Sequence, residues 1–143
     1  YRLMAFWLFK SEPDVFGWPH QVSKGDAGEE WTGVRNYQAR NNMRAMRVGD
    51  QGFFYHSNIG KEIVGIVEVI RESALDSTTD DPRWDCVMVR ALRPMPRPVS
   101  LEACKVEPGL ENMVLVNNTR LSVQPVTETE WRIVCGMGGL PDR

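Results

Sequence analysis

Short β-type segments separated by glycine and proline dominate the chain and limit the folds that it can adopt. The clearest is Glu62–Ile70 (EIVGIVEVI), which is β-branched and mostly apolar and therefore predicts a central strand. Gly65 inside it indicates a bulge or a close backbone approach. Three proline residues make Arg93–Val99 an extended connector or an edge strand. Other segments with strand character are Ala5–Lys10, Gln51–His56, Trp84–Leu92 and, as a fifth strand, Arg120–Gln124.

Short helices are predicted between these strands. Asn36–Met46 is the clearest, because methionines and arginines recur at helical spacing on different faces. Two more follow, Leu101–Lys105 capped by Ser100 and Thr127–Val134 capped by Thr127 with Glu130 in the capping-box position. The pattern predicts one α+β domain over residues 1–143, built as a small, curved, mixed β pseudo-barrel with short peripheral helices. Residues 1–3 precede the first methionine and are expected to be an extension or a tag remnant.

Composition excludes several classes of protein. The chain has 143 residues, 42% hydrophobic and 25% charged, which is typical of a globular domain. We expect no membrane span, because no apolar run approaches the ~20 residues required. Three widely spaced cysteines, without a C-x-x-C pair, predict buried reduced thiols in a cytoplasmic protein and no zinc site. The acidic run Asp76–Asp85 lacks the spacing of a calcium loop and is expected to be a solvated loop, so we predict no metal and no cofactor.

The segment Trp31–Ser57 points to a function. Within 27 residues it combines aromatic rings, four arginines, and the amide, imidazole and hydroxyl groups of several polar residues. Aromatic faces stack on bases, arginines neutralise phosphate, and amides read base edges. The net charge of −2 argues against a general polyanion-binding surface. The sequence therefore predicts a local, pocket-like contact with nucleic acid or nucleobases.

Five separated strings resemble one known family. They are FWLFKSEP (Phe6–Pro13), WTGVRNYQARNNMRAM (Trp31–Met46), GDQGFFYHS (Gly49–Ser57), IVGIVEV (Ile63–Val69) and RLSVQPV (Arg120–Val126). In this order they resemble the EVE domain, a PUA-like fold similar to the YTH readers of methylated adenine and to ASCH domains. The resemblance implies a pseudo-barrel with a pocket at one side. It also implies a nucleic-acid partner that carries a modified base, with modified cytosine in DNA favoured and an RNA base as the other choice.

Individual residues have more than one interpretation. Trp31 is either a stacking wall for a base or a core indole, and Asn36 either reads a base edge or caps the helix that follows it. His56 is expected to be a hydrogen-bonded residue lining or underlying the pocket, since no sequence neighbour orients it for catalysis. Taken with the resemblance, the predicted base pocket comprises Lys10, Ser11, Trp31, Asn36, Tyr37, His56, Ser57, Ser122 and Gln124. The predicted phosphate contacts are Arg35, Arg40 and Arg44, and no catalytic residue is predicted.

Two other functions remain open from the sequence. The first is a small PUA-like hydrolase acting on a nucleoside or nucleic acid, with Lys10, Glu12 and His56 as catalytic candidates. A pKa of Lys10 lowered by burial would favour that hypothesis. The second is a protein-interaction module with a vestigial pocket.

Overall fold

The structure, a computed structural model, describes residues 4–118 and 120–140. In these residues, six strands form one mixed sheet. Residues 1–3, the expected extension, lie outside this part. The strands are β1 (Phe6–Ser11), β2 (Glu29–Glu30), β3 (Gln51–His56), β4 (Glu62–Leu75), β5 (Asp85–Ser100) and β6 (Val123–Val126). Their order is β2-β5-β4-β3-β1-β6, with β1 and β3 parallel and the other pairs antiparallel. The predicted α+β, PUA-like fold is confirmed, although the sheet does not close into a complete barrel.

Short helices surround this sheet. They are α1 (Pro13–Phe16), α2 (Trp18–Ser23), α3 (Tyr37–Ala45), α4 (Leu101–Val106), α5 (Val114–Asn117) and α6 (Glu128–Met137), with a 3-10 turn at Gly25–Ala27. The predicted caps are confirmed: Ser100 accepts the amide of Ala103, and Thr127 and Glu130 form a capping box. None of the helices in the described residues is long and apolar enough to cross a membrane.

The two long strands differ from their predicted lengths. β4 extends to Leu75, and β5 continues through the proline-rich segment to Ser100. The prolines are accommodated because the pairing of β4 with β5 is irregular there. Ile63 lies opposite Val99, but Gly65, only two residues later, lies opposite Pro94. β5 therefore carries extra residues that bulge out of the pairing. The bulge predicted at Gly65 is thus confirmed, and the ring of Trp18 packs directly against its backbone.

The sheet is buried on both faces. Adjacent residues of a strand point to opposite faces, so Leu8 and Phe53 join a core cluster with Trp131 of α6, whereas Phe9 and Phe54 join a second cluster. Trp31 and the buried face of α3 belong to that second cluster. All three cysteines are free and buried, as predicted.

The position of β6 corrects one prediction. A fifth strand was predicted over Arg120–Gln124, with Ser122 and Gln124 in the pocket. The strand begins only at Val123, and Gln124 is fully buried, with its amide donating to the carbonyl of Leu121 at 2.8 Å.

Candidate functional site

A cavity of about 430 Å³ lies at the carboxyl end of β1, whose neighbour in the sheet is the parallel strand β3. We call it the β1–β3 pocket. Its volume is within the usual range of ~300–1,000 Å³ for small-ligand sites. An adjoining cavity of about 470 Å³ shares several of its residues and extends the opening toward the β3–β4 turn. The pocket is lined by Lys10, Ser11, Val15, Phe16, Glu29, Glu30, Trp31, Thr32, Gly33, Val34, Arg35 and Ser122, and the adjoining cavity adds Glu12, Ser57, Asn58 and Arg120.

Trp31 lines the pocket while it is anchored in the core. Only 7% of its surface is exposed. Its ring packs edge-on against Phe9, with centroids 5.1 Å apart, and against Phe54 at 5.6 Å. Its backbone amide donates to the carbonyl of Val87 at 2.9 Å. The two interpretations of this indole are therefore compatible, because core packing holds a rigid aromatic wall at the pocket.

Asp76 supports the wall that runs from Gly33 to Arg35. Its carboxylate is fully buried and accepts hydrogen bonds from the amide of Gly33 at 2.8 Å and from Arg35 Nη1 at 3.1 Å. The other oxygen accepts the amide of Thr78 at 2.8 Å and its hydroxyl. Burial alone would raise the pKa of Asp76, but these hydrogen bonds outweigh it and lower the pKa to about 2. The expectation of a solvated acidic loop is wrong for Asp76, which is a structural anchor of the pocket.

Two serines connect the carboxyl ends of β1 and β3 at the opening of the adjoining cavity. Ser11 Oγ donates to the carbonyl of Phe16 at 2.7 Å, which leaves its oxygen as an acceptor toward the pocket. The amide of Ser57 donates to the carbonyl of Ser11 at 2.9 Å. Lys10 precedes them, and burial lowers the pKa of its ammonium group. The structure therefore brings Lys10, Ser11, Ser57 and Ser122 together around one opening.

His56, the last residue of β3, was predicted to line or underlie the pocket; it lines neither cavity and supports α2 instead. Its Nε2 accepts the backbone amide of Trp18 at 3.0 Å. Burial lowers the pKa of His56, and the nearby charge of Glu62 opposes this effect only partly. The neutral imidazole that accepts this bond is thus the favoured form.

Besides His56, three predicted pocket residues lie outside the lining of both cavities. Asn36 caps α3, its side-chain oxygen accepting the amide of Ala39 at 2.9 Å. Tyr37 is 50% exposed and stacks on Trp84 with centroids 5.0 Å apart. Gln124 is buried behind the start of β6. The helix-cap interpretation of Asn36 is the one that the geometry shows.

The three arginines predicted to contact phosphate already have protein partners. Arg35 lines the pocket and pairs with Asp76. Arg44 pairs with Asp85. Arg40 lies over the ring of Tyr37, 4.9 Å from its centroid, and donates to uncharged oxygens.

Sequence reasoning missed several lining residues. Val15 and Phe16 lie in α1, directly after β1, and Glu29 and Glu30 directly precede Trp31. The available signal was their closeness in the sequence to predicted site residues. Glu30 is held by Ser77 at 2.6 Å and by Arg71 at 3.3 Å, and the hydrogen bond from Ser77 is the main cause of its lowered pKa. Within the described residues, no group of His, Cys, Asp or Glu is arranged to hold a metal ion.

Comparisons with known proteins identify the family of the chain and relatives of its fold. Residues 5–137 match the EVE domain family. The chain is 35% identical to human thymocyte nuclear protein 1 over 95% of its own length and 75% of that protein. A structure of an Agrobacterium tumefaciens protein superposes with a TM-score of 0.96 and 61% identity, covering 97% of this chain and 96% of the other.

Two ligand complexes are also similar. Human THYN1 in complex with 5-methylcytosine-containing DNA has a TM-score of 0.86 at 32% identity, covering 96% of this chain and 99% of that one. A YTH domain of Zygosaccharomyces rouxii in complex with N6-methyladenosine RNA has a TM-score of 0.55 at 17% identity, over 96% of this chain and 91% of that one, and shares the fold alone. The predicted relationship is confirmed, and the chain belongs to the EVE domain family.

Proposed function

We propose that this protein is a nucleic-acid reader that accepts one modified base, 5-methylcytosine in DNA, in the β1–β3 pocket. The observation that carries the proposal is the pocket itself, a cavity of about 430 Å³ with a rigid indole wall and polar groups at the end of β1, which an adjoining cavity extends to Ser57 after β3. The similarity to human THYN1, which was crystallised with 5-methylcytosine-containing DNA, supports the choice of base.

The lining suits a flat, polar base with an added methyl group. Trp31 offers an aromatic surface, and stacking of a base on such a surface contributes ~1–3 kcal/mol. Ser11 faces the pocket as an acceptor, because its proton is donated to Phe16, and the exocyclic amine of cytosine is a donor. Phe16 and Val34 provide apolar surface for a methyl group, whose burial is worth ~0.8 kcal/mol.

Extrusion of the base from a duplex must be offset by these contacts. Flipping costs a few kcal/mol, and less for an unpaired base. A methyl group alone supplies a preference of only about fourfold, so we expect moderate rather than absolute selectivity for the methylated base.

The test is a titration of labelled duplexes and single strands that carry one cytosine or one 5-methylcytosine. Trp31→Ala would disturb the core, so the informative variant is Val15→Glu, at a residue that is 72% exposed and lines the pocket. Val48→Glu adds the same charge at a residue that is 61% exposed and precedes β3, at the other end of the sheet.

We expect wild type and Val48→Glu to prefer 5-methylcytosine, and Val15→Glu to lose about tenfold in affinity through repulsion of the phosphate backbone near the opening. Equal affinity for the two bases in every format would contradict the modified-base proposal. Equal effects of the two glutamates would contradict the placement of the site.

A hydrolase is the second candidate, because the pKa of Lys10 is lowered by burial and Glu12 lines the adjoining cavity with it. His56 contributes less to this hypothesis, since its Nε2 already accepts the amide of Trp18. Mass spectrometry of methylated nucleosides and oligonucleotides after incubation with wild type and Lys10→Met distinguishes the two functions. A product that requires Lys10 would favour the enzyme.

A further inference from the structure

The turn between β3 and β4 has an unusual backbone. Asn58 and Lys61 adopt φ values of 64° and 51°, in the left-handed region that residues other than glycine rarely occupy, and Gly60 has a φ of 89°. Such conformations are found where the surroundings hold them in place, and they cluster at ligand-binding and switch regions.

Hydrogen bonds hold this turn at both ends. The amide of Ser57 donates to the carbonyl of Ser11 at the end of β1, at 2.9 Å. The carbonyl of Lys61 accepts the amide of Leu101, at the start of α4, also at 2.9 Å. Inside the turn, the amide of Ile59 donates to the carbonyl of Ser57 at 2.7 Å. The turn is therefore attached to the rest of the fold on each side of Ile59.

Ile59 presents an apolar side chain to solvent from this turn. It is 61% exposed, although isoleucine is among the residues most often fully buried. Its neighbours Ser57 and Asn58 line the cavity that adjoins the β1–β3 pocket. The exposed Lys61 follows two residues later and carries a charge suited to a phosphate. An exposed apolar residue and an exposed lysine thus follow directly in the chain after two residues that line the adjoining cavity.

We propose that Ile59 is a wedge that enters the base stack of duplex DNA next to the base held in the β1–β3 pocket. The inference rests on the proposed function. A flipped base leaves a gap in the stack, and proteins that distort duplexes insert apolar side chains between base steps. A side chain presented by a preformed turn loses little freedom on insertion, so more of its contact energy stabilises the opened duplex.

The test compares one 5-methylcytosine in a duplex with the same base in a single strand. The variants are Ile59→Ala, Ile59→Leu, which keeps the apolar bulk, and Val48→Ala. Val48 is a matched control, because it is β-branched, 61% exposed and located in the turn at the other end of β3. The readouts are the Kd of each DNA and the fluorescence of 2-aminopurine placed next to the 5-methylcytosine, which reports unstacking.

We expect Ile59→Ala to weaken duplex binding about tenfold, to reduce the 2-aminopurine signal, and to leave single-strand binding within about twofold, because a single strand has no paired stack to open. Ile59→Leu and Val48→Ala should retain wild-type duplex binding. Equal losses on duplex and single strand, or no loss on duplex, would overturn the wedge.

Failure of the wedge and failure of the reader are distinguishable in the same experiment. Wild type that binds the modified single strand but not the duplex refutes the wedge and leaves the reader intact. Wild type that binds neither DNA refutes both.

Discussion

Replacing Asp76 by asparagine tests whether the wall of the β1–β3 pocket depends on one buried charge. Each carboxylate oxygen of Asp76 accepts two hydrogen bonds: one from the amide and hydroxyl of Thr78, the other from Gly33 and Arg35. The side chain of asparagine has one oxygen and one NH2 group. Whichever way it is turned, the backbone amide of either Gly33 or Thr78 faces the NH2 group and loses its acceptor, and Arg35 loses its counter-charge.

The magnitude follows from the lowered pKa. A shift of the pKa of Asp76 from 3.8 to about 2 corresponds to about 2 kcal/mol of stabilisation by the charged form. Buried donors left without an acceptor cost a further ~1–3 kcal/mol. We therefore expect Asp76→Asn to lower the free energy of unfolding by about 3–5 kcal/mol at pH 7.

The pH dependence has a defined sign. Because the folded-state pKa is lowered, the stabilisation is complete above the unfolded-state pKa of 3.8 and is lost as the pH falls toward 2. About half of it should be gone at pH 3, so the difference between wild type and Asp76→Asn should shrink by about 1 kcal/mol between pH 6 and pH 3.

Urea denaturation followed by tryptophan fluorescence, at pH 6 and pH 3, measures both effects. Asp80→Asn is the control, since Asp80 is an exposed acid of the same loop. Equal destabilisation by the two substitutions, or a wild-type advantage that does not change with pH, would refute the argument that Asp76 is a charged anchor.

Two further predictions concern the support of the pocket. Gly65→Ala should destabilise the fold by about 1–3 kcal/mol, because the new Cβ would lie 2.5 Å from the ring of Trp18. Gly136→Ala should instead stabilise α6 by up to ~1 kcal/mol, because its new Cβ would meet no packed neighbour within 4 Å. Thermal denaturation of both variants tests this, and shifts of Tm in the same direction would contradict it. His56 has a lowered pKa, so wild-type stability should fall as the pH drops below 6.5, where the unfolded chain takes up the proton first. Urea denaturation at pH 5.5 and pH 7.5 should show a smaller change in the free energy of unfolding for His56→Gln than for wild type. Equal changes for the two proteins would refute the assignment of a lowered pKa to His56.

Elements set by local chemistry could be predicted from the sequence. The strand Gln51–His56 and the caps at Ser100 and Thr127 depend on residues within one turn or one strand. The length of β5 was underestimated, because prolines argue against a strand unless a bulge in the partner pairing accommodates them. That pairing joins residues far apart in the chain and has no local signature.

In the candidate site, too, some features could be predicted from nearby residues and others depend on residues far apart in the chain. Trp31, Ser11 and Ser122 line the pocket as the family strings implied. Tyr37 does not, because Trp84, from a distant loop, stacks on its ring. Asp76 could not be recognised, since its partner Gly33 is 43 residues away and its acidic neighbours are those of a solvated loop. The sequence identifies residue types that can bind a base, whereas the groups that hold them in position come from elsewhere in the chain.

The paired arginines explain how a chain of net charge −2 could read a base without binding DNA indiscriminately. Arg35 and Arg44 already have carboxylate partners, so a phosphate must compete with Asp76 or Asp85 for them. Non-specific binding, which depends on free cations, therefore gains little from these residues. In the proposed reader, most of the affinity must come from the pocket, where the contacts depend on the base, so selectivity follows from the weakness of the surrounding electrostatic attraction.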